Sequence, residues 1–108
     1  MTTAREKMKE IGERLAARSA EASSIGGVYR FDLQGEGGGS FVVNLRDAIG
    51  VQEGDGPAAC TLRLSTGDFL DLISGKVSGQ ELFFGQRLTV EGDMGLALKL
   101  QALTDLLR

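Results

Sequence analysis

The chain begins with apolar residues at helical spacing among charged ones. From about residue 3 to 21, Met8, Ile11 and Leu15 recur at intervals of three and four positions. This spacing predicts an amphipathic helix with a narrow apolar stripe. The run Ser-Ser-Ile-Gly-Gly at 23–27 is expected to break the helix.

The middle of the chain alternates between apolar and polar residues, which is the pattern of half-buried strands. Two such runs, at 29–33 and 41–45, flank the loop GEGGGS at 35–40 and predict a β-hairpin. Three further strands are predicted near 48–51, at 60–64 and at 87–91.

Two more helices are predicted from their capping residues. Ser65 or Thr66 is expected to begin a helix that ends near Gly75, and Asp93 one that runs to about Leu107. Without repeats or a long linker, residues 1–108 are expected to form a single domain, with the sheet and a pocket from residue 28 onward. We therefore predict the α+β class, with a five-stranded, mainly antiparallel sheet and helices on one face.

The last predicted helix is apolar on two opposite sides. At 100° per residue, one sector holds only leucines and can pack on the sheet, while the other holds two apolar residues and an amide. The first sector contains Leu96, Leu100, Leu103 and Leu107, and the second contains Met94, Leu98 and Gln101. The second sector either borders a pocket or is covered by another helix. Gln101 could orient the polar end of an apolar ligand, or it could be a helix-edge residue in water.

Composition and charge exclude several function classes. Hydrophobic residues make up 42% of the chain and aromatic ones only 6%, so the interior is mainly aliphatic. A net charge of −3 argues against nucleic-acid binding. Residues 1–30 hold six Lys or Arg against four Glu, which allows a transient contact with an anionic membrane surface. Such a mixture is more often a solvated helix face.

The expected location of the protein in the cell is inferred from the signal peptide and membrane span that the sequence lacks. The charged start MTTAREKMKE does not resemble a signal peptide, and no apolar run reaches the roughly 20 residues of a membrane span. One cysteine fits a reducing compartment. We expect a cytoplasmic protein.

Catalytic and metal-binding groups are scarce. Histidine is absent, which excludes histidine-based acid–base chemistry and imidazole metal ligands. The GEGGGS loop lacks the Lys-Ser/Thr ending of a phosphate loop. Cys60 shares the inward phase of its strand and is expected in the core, while Asp68 and Asp71 fit a solvated first helical turn better than a weak cation site. We expect no metal, no cofactor and no enzymatic activity.

The C-terminal half resembles the sterol carrier protein 2 family of lipid-binding domains. The resemblance rests on four stretches: Cys60-Thr61-Leu62; Asp68-Phe69-Leu70 with Gly75-Lys76; Phe83-Phe84-Gly85 with Leu88; and the run GDMGLALKLQ at 92–101. It implies that sheet and helices enclose a hydrophobic tunnel for noncatalytic binding of fatty acids, fatty acyl-CoA, phospholipids or sterols. By position, the residues bordering the tunnel would be Phe69, Ile73, Phe83, Phe84, Leu88, Val90, Met94, Leu98 and Gln101.

One departure and two alternatives qualify the resemblance. The chain ends Leu-Leu-Arg and not in a peroxisomal tripeptide of the Ser-Lys-Leu type, which favours the cytoplasm. Domains of this kind also occur as appendages of lipid-metabolising enzymes and as dimerisation units, in which case the apolar stripe would contact a protein. A monomer is the expected state. A small acyl-CoA hydrolase is a third interpretation, which the missing histidine disfavours.

Overall fold

The structure is a computed structural model that describes residues 4–46 and 48–107. These residues form one sheet and a set of helices. In chain order the elements are α1 (Ala4–Ala17), α2 (Ser19–Ile25), β1 (Val28–Gln34), β2 (Gly39–Asn44), β3 (Gly50–Glu53), β4 (Cys60–Ser65), α3 (Thr66–Ser74), α4 (Gly79–Phe84), β5 (Thr89–Gly92), α5 (Met94–Leu98) and α6 (Leu100–Leu106).

The sheet has five strands in the order β3-β2-β1-β4-β5. Neighbouring strands are antiparallel except β1 and β4, which run parallel. At the centre, Phe31 of β1 lies opposite Phe41 of β2 on one side and Leu62 of β4 on the other. The prediction of an α+β fold with a mainly antiparallel five-stranded sheet is confirmed.

The two faces of the sheet differ sharply in exposure. Alternate residues of β1, β2 and β4 are buried, and the core helices pack on that face. The buried strand residues are Tyr29, Phe31, Leu33, Phe41, Val43, Cys60, Leu62 and Leu64. The opposite face carries an ion-pair cluster in which Asp32 lies between Arg30 and Arg63, and Arg63 also pairs with Glu91.

The N-terminal helix is longer than predicted and is divided in two. Arg18, with φ −125° and ψ 44°, interrupts the helix after Ala17, and a second segment continues to Ile25. This segment buries Ala22, which explains why the serines at 23 and 24 do not end the helix. Gly26, which belongs to the run predicted to break the helix, ends it at a φ of 68°. The predicted start at residue 3 lies outside the described residues.

The hairpin turn depends on a glycine where the chain approaches itself closely. At Gly38, an added Cβ would lie 2.3 Å from the Leu33 carbonyl oxygen, so no larger residue fits without a backbone shift. The short strand that follows the hairpin, β3, begins two residues later than predicted, at Gly50.

Both predicted capping residues are confirmed. The Ser65 hydroxyl accepts a hydrogen bond from the Asp68 backbone N–H, and the Asp93 carboxylate accepts from the N–H groups of Gly95 and Leu96. The last helix is not continuous, however. The Lys99 N–H bonds to the Leu96 carbonyl three residues back, at 3.1 Å, and this tight turn separates α5 from α6.

The helices of the described residues are short. None of them combines the length and the apolar character that crossing a membrane requires.

Candidate functional site: an apolar cavity beside strand β5

An open cavity of about 370 Å³ lies between α4, β5, α5 and the start of α6. This volume is within the range of small-molecule sites, near its lower end. The described residues that line it are Gly79, Gln80, Phe83, Phe84, Leu88, Val90, Met94, Ala97, Leu98, Leu100 and Gln101.

The structure brings seven of the nine predicted site residues to this cavity. They are Phe83, Phe84, Leu88, Val90, Met94, Leu98 and Gln101. Phe69 and Ile73 do not line it, because α3 turns both side chains into the core, where the Phe69 ring packs edge-on against Phe31 at a centroid distance of 5.6 Å. Ligand binding by these nine residues stays a prediction.

Four lining residues were missed by the sequence reasoning: Gly79, Gln80, Ala97 and Leu100. The sequence pattern places Leu100 in the sheet-facing sector of an unbroken helix. The turn at Lys99 shifts the helical phase, so Leu100 is both buried and in contact with the cavity. Ala97 is a small residue between Met94 and Leu98, and its position on the same helix was the available signal.

Four large apolar side chains around the cavity are exposed to solvent. Phe83 is 46% exposed, Phe84 78%, Met94 56% and Leu98 84%. Among residues 4–46 and 48–107, these are the only large hydrophobic side chains classed as exposed, and all four line this cavity. Large apolar side chains that are exposed around one cavity are typical of ligand-binding grooves and of contact sites for proteins or membranes.

Helix α4 is held in place at both ends. The Ser78 hydroxyl accepts from the Glu81 backbone N–H at 3.1 Å, and the chain after Phe84 folds back so that the N–H groups of Arg87 and Leu88 both bond to the Leu82 carbonyl. This folding back takes up residues 87 and 88, which explains why β5 begins at Thr89 and not at the predicted Arg87.

An ion pair joins the end of this turn to helix α3. The Arg87 guanidinium donates two hydrogen bonds to the Asp68 carboxylate. The hydrogen bond from Arg87 holds the pKa of the Asp68 carboxyl below its usual range. The predicted first-turn position of Asp68 is confirmed, but the carboxylate is paired and its side chain is only 14% exposed.

Helix α5 is tied to the centre of the sheet. The buried Tyr29 hydroxyl donates to the Leu96 carbonyl at 2.5 Å, and the Lys99 ammonium donates to the Ile25 carbonyl at 3.3 Å. Burial raises the pKa of the Tyr29 phenol above its ordinary value, so the group stays neutral and keeps its donor hydrogen. The inner wall of the cavity is therefore fixed to β1.

The cavity offers little for catalysis. None of the described residues that line it carries an ionisable side chain. Burial raises the pKa of the Cys60 thiol, with a smaller contribution from Asp93, and this disfavours the reactive thiolate. The described residues contain no group of three or more metal-ligating side chains. The arrangement is suited to holding an apolar molecule.

Fold and cavity together define a small α+β domain with an apolar binding site beside its last strand. Residues 8–105 match the model of the SCP-2 sterol transfer family. The chain is 36% identical to rat sterol carrier protein 2 over 101 residues. The aligned region covers 88% of this chain and 18% of the rat protein. The chain belongs to the SCP-2 sterol transfer family, and the resemblance seen in the sequence is confirmed.

Solved structures agree on the fold. The apo form of sterol carrier protein 2 from Yarrowia lipolytica superimposes with a TM-score of 0.81 at 22% identity, covering 94% of this chain and 88% of that one. The sterol carrier protein 2 of Aedes aegypti in complex with palmitate has a TM-score of 0.72 at 20% identity and full coverage of both chains. This chain spans less than a fifth of the length of the rat relative.

Proposed function

We propose that this chain binds a lipid noncatalytically, with the apolar part of the ligand in the cavity beside β5, and that it transfers the lipid between apolar environments. The observation that carries the proposal is that all four exposed large hydrophobic side chains of the described residues surround one cavity. The palmitate complex of the Aedes aegypti relative supports fatty acyl chains as one ligand class. Fatty acyl-CoA, phospholipids and sterols are the other classes that the proposal includes.

The proposed binding residues are the seven predicted residues that line the cavity together with Ala97 and Leu100. Phe69 and Ile73 would support the wall from the core. Full burial of a sixteen-carbon chain is worth about 12 kcal/mol, at ~0.8 kcal/mol for each of ~15 methylene groups. Association costs of ~4 kcal/mol or more leave an affinity of about micromolar strength at most.

The proposal is one of binding and not of catalysis, because the lining residues that the structure describes supply neither an acid, a base nor a nucleophile. It includes a transient contact of the N-terminal helix α1 with an anionic membrane surface during transfer. It also places the protein in the cytoplasm, which the single buried cysteine supports. We propose a monomer as its oligomeric state.

Displacement of a fluorescent fatty acid tests the proposal. Leu98→Glu places a charge in the cavity wall at a residue that is 84% exposed, so the fold should survive while lipid binding weakens at least tenfold. Ala102→Glu is the matched control, since Ala102 is exposed on the neighbouring helix α6 and does not line the cavity. Equal binding by both variants would contradict the proposal.

A second candidate function is that of an accessory or dimerisation domain. It is favoured by the small share of the rat relative that this chain covers and by the exposure of Phe84 and Leu98. A stable interface needs about 1,200 Å² or more of buried surface in total. Sedimentation of delipidated protein over a wide concentration range tests self-association: a monomer at every concentration argues against it.

A further inference from the structure

Sulfur atoms lie in two very different environments in this chain. Among residues 4–46 and 48–107, the side chains that contain sulfur are those of Met8, Cys60 and Met94. Met8 is 2% exposed and Cys60 0%, and both belong to the core. Met94 is 56% exposed and lines the cavity beside β5. Within the described part of the chain, the accessible sulfur therefore lies in the wall of the proposed lipid site.

The surroundings of the three sulfur atoms favour oxidation at Met94. A thioether is oxidised by peroxides where solvent reaches it, and a cysteine reacts mainly as the thiolate. Burial raises the pKa of the Cys60 thiol, so Cys60 does not compete for the oxidant. The carboxylate of Asp93 caps α5 through the N–H groups of Gly95 and Leu96. The Met94 side chain takes no part in that cap, so its oxidation leaves the start of the helix intact.

The reaction transfers one oxygen atom from a hydroperoxide to the sulfur. A lone pair of the Met94 sulfur attacks one peroxide oxygen, the S–O bond forms and the O–O bond breaks. The proton of the transferred oxygen moves to the departing oxygen, so hydrogen peroxide leaves as water. The sulfur loses two electrons and the peroxide gains them. The product is methionine sulfoxide, which methionine sulfoxide reductases convert back to methionine.

A sulfoxide at position 94 would make an apolar part of the cavity wall polar. None of the described lining residues is ionisable, and their polar side chains are the amides of Gln80 and Gln101. The sulfoxide oxygen is a hydrogen-bond acceptor that water satisfies while the cavity holds no lipid. An acyl chain lying against Met94 would displace this water, and burial of an unpaired acceptor is unfavourable. The oxidised protein should therefore bind lipid more weakly.

We propose that Met94 is an oxidation site through which a hydroperoxide in solution lowers lipid affinity reversibly, without unfolding the domain. The inference rests on the proposed function, since an oxidised wall has an effect only where the wall binds lipid. It makes Met94 a regulatory residue of the site. The core does not respond, because its own sulfur atoms are buried.

Mass spectrometry of peptides after peroxide treatment locates the oxidation. We expect Met94 to gain one oxygen atom at least tenfold faster than Met8 does, because solvent reaches only the former freely. Saturation with a saturated fatty acid should slow the reaction of Met94 at least threefold, since the ligand covers the wall. The same ligand should affect Met8 less.

Displacement of a fluorescent fatty acid measures the effect on binding. Each protein is compared with its own untreated sample after the peroxide has been removed, so the basal affinity of a variant does not enter the result. In the unmodified protein we expect peroxide to raise the Kd at least fivefold with an unchanged circular dichroism spectrum, and reductase treatment to restore the Kd.

Two variants show whether the position of the sulfur matters. Met94→Leu removes the accessible sulfur and should make the Kd insensitive to peroxide. Met94→Leu combined with Ala102→Met is the matched control, because Ala102 is exposed on α6 and does not line the cavity. This control keeps one accessible methionine outside the wall. Peroxide should oxidise that methionine and leave the Kd unchanged.

Several results would overturn the inference. They are an unchanged Kd when Met94 carries the oxygen, oxidation of Met94 no faster than that of Met8, and a loss of affinity in either variant equal to that of the unmodified protein. In each case, binding of the fluorescent fatty acid by the untreated protein leaves the proposed function intact. If the untreated protein does not bind it, the proposed function fails and the inference fails with it.

Discussion

The sheet core and the cavity wall are built from the same kinds of residue, yet water reaches them very differently. In the core, Phe69 is 0% exposed and Leu62 1%, whereas in the cavity wall Phe84 is 78% exposed and Leu98 84%. Burial of apolar side chains supplies most of the stability of a fold. The core side chains already contribute it in the ligand-free chain. Those of the wall can contribute only when a ligand or a partner covers them.

The same substitution in the two regions should give very different results. Phe69→Ala removes a fully buried ring and is expected to lower the free energy of unfolding by about 3–5 kcal/mol. Phe84→Ala removes an exposed ring and should change it by less than about 0.5 kcal/mol. Urea denaturation of both delipidated variants measures the difference. Similar losses would mean that Phe84 is packed in solution and that the wall is closed.

Tyr29 connects the sheet core to the cavity wall, and removal of its hydroxyl should loosen the cavity wall more than the core. Tyr29→Phe keeps the ring in the core but removes the hydroxyl bond to the Leu96 carbonyl, which keeps the Lys99 N–H as a donor, at an expected cost of about 0.5–1.5 kcal/mol. Amide exchange should then become faster in α5 than in β2, because the lost bond anchors α5 to the sheet. Equal acceleration in both elements would show that the bond stabilises the fold as a whole.

Acid should weaken the sheet through its polar face without affecting the cavity lining, which has no ionisable group among the described residues. Burial opposes ionisation of Asp32, but hydrogen bonds from Arg30, Ser40 and Arg63 outweigh it and hold the pKa of this carboxyl below its ordinary value. The stabilisation is therefore complete above the unfolded pKa of about 3.9 and is lost as pH falls through the lower folded pKa.

Asp32→Asn tests that account of acid stability. At neutral pH the variant should be less stable than the unmodified protein by about 1–2 kcal/mol, and the gap should close at low pH, where Asp32 is protonated in both states. Urea denaturation as a function of pH measures the gap. Asp68→Asn is a useful comparison because its pKa is lowered by a different partner, Arg87. A gap independent of pH would mean that Asp32 acts only through packing.

Much of the fold could be predicted because local rules and tertiary packing agree in it. Alternation located β1, β2 and β4, and the capping side chains of Ser65 and Asp93 located two helix starts. The two-sided apolar pattern of the last helix leaves open whether its second sector borders a pocket or is covered by another helix, and in the structure Met94 and Leu98 are exposed beside the cavity.

The remaining features depend on contacts between distant segments, which periodicity does not report. A helical stripe shows that Phe69 and Ile73 face inward, but not whether they face the sheet or a cavity. The break at Lys99 coincides with a bond from its ammonium to the Ile25 carbonyl, 74 positions away in the chain. Gly79 and Leu100 likewise bring α4 and α6 into close contact, and the spacing of apolar residues along the chain does not predict how close two helices lie.

The central claim is that the exposed apolar wall is a lipid site, and hydrogen exchange tests it most directly. Delipidated protein is compared with protein saturated with a long-chain lipid. We predict slower exchange in α4, β5, α5 and the start of α6, with a higher melting temperature, and little change in β1 and β2, which are already buried. If the amide exchange rates of residues 79–101 and the thermal unfolding curve are the same with and without saturating lipid, the apolar wall is not a lipid site.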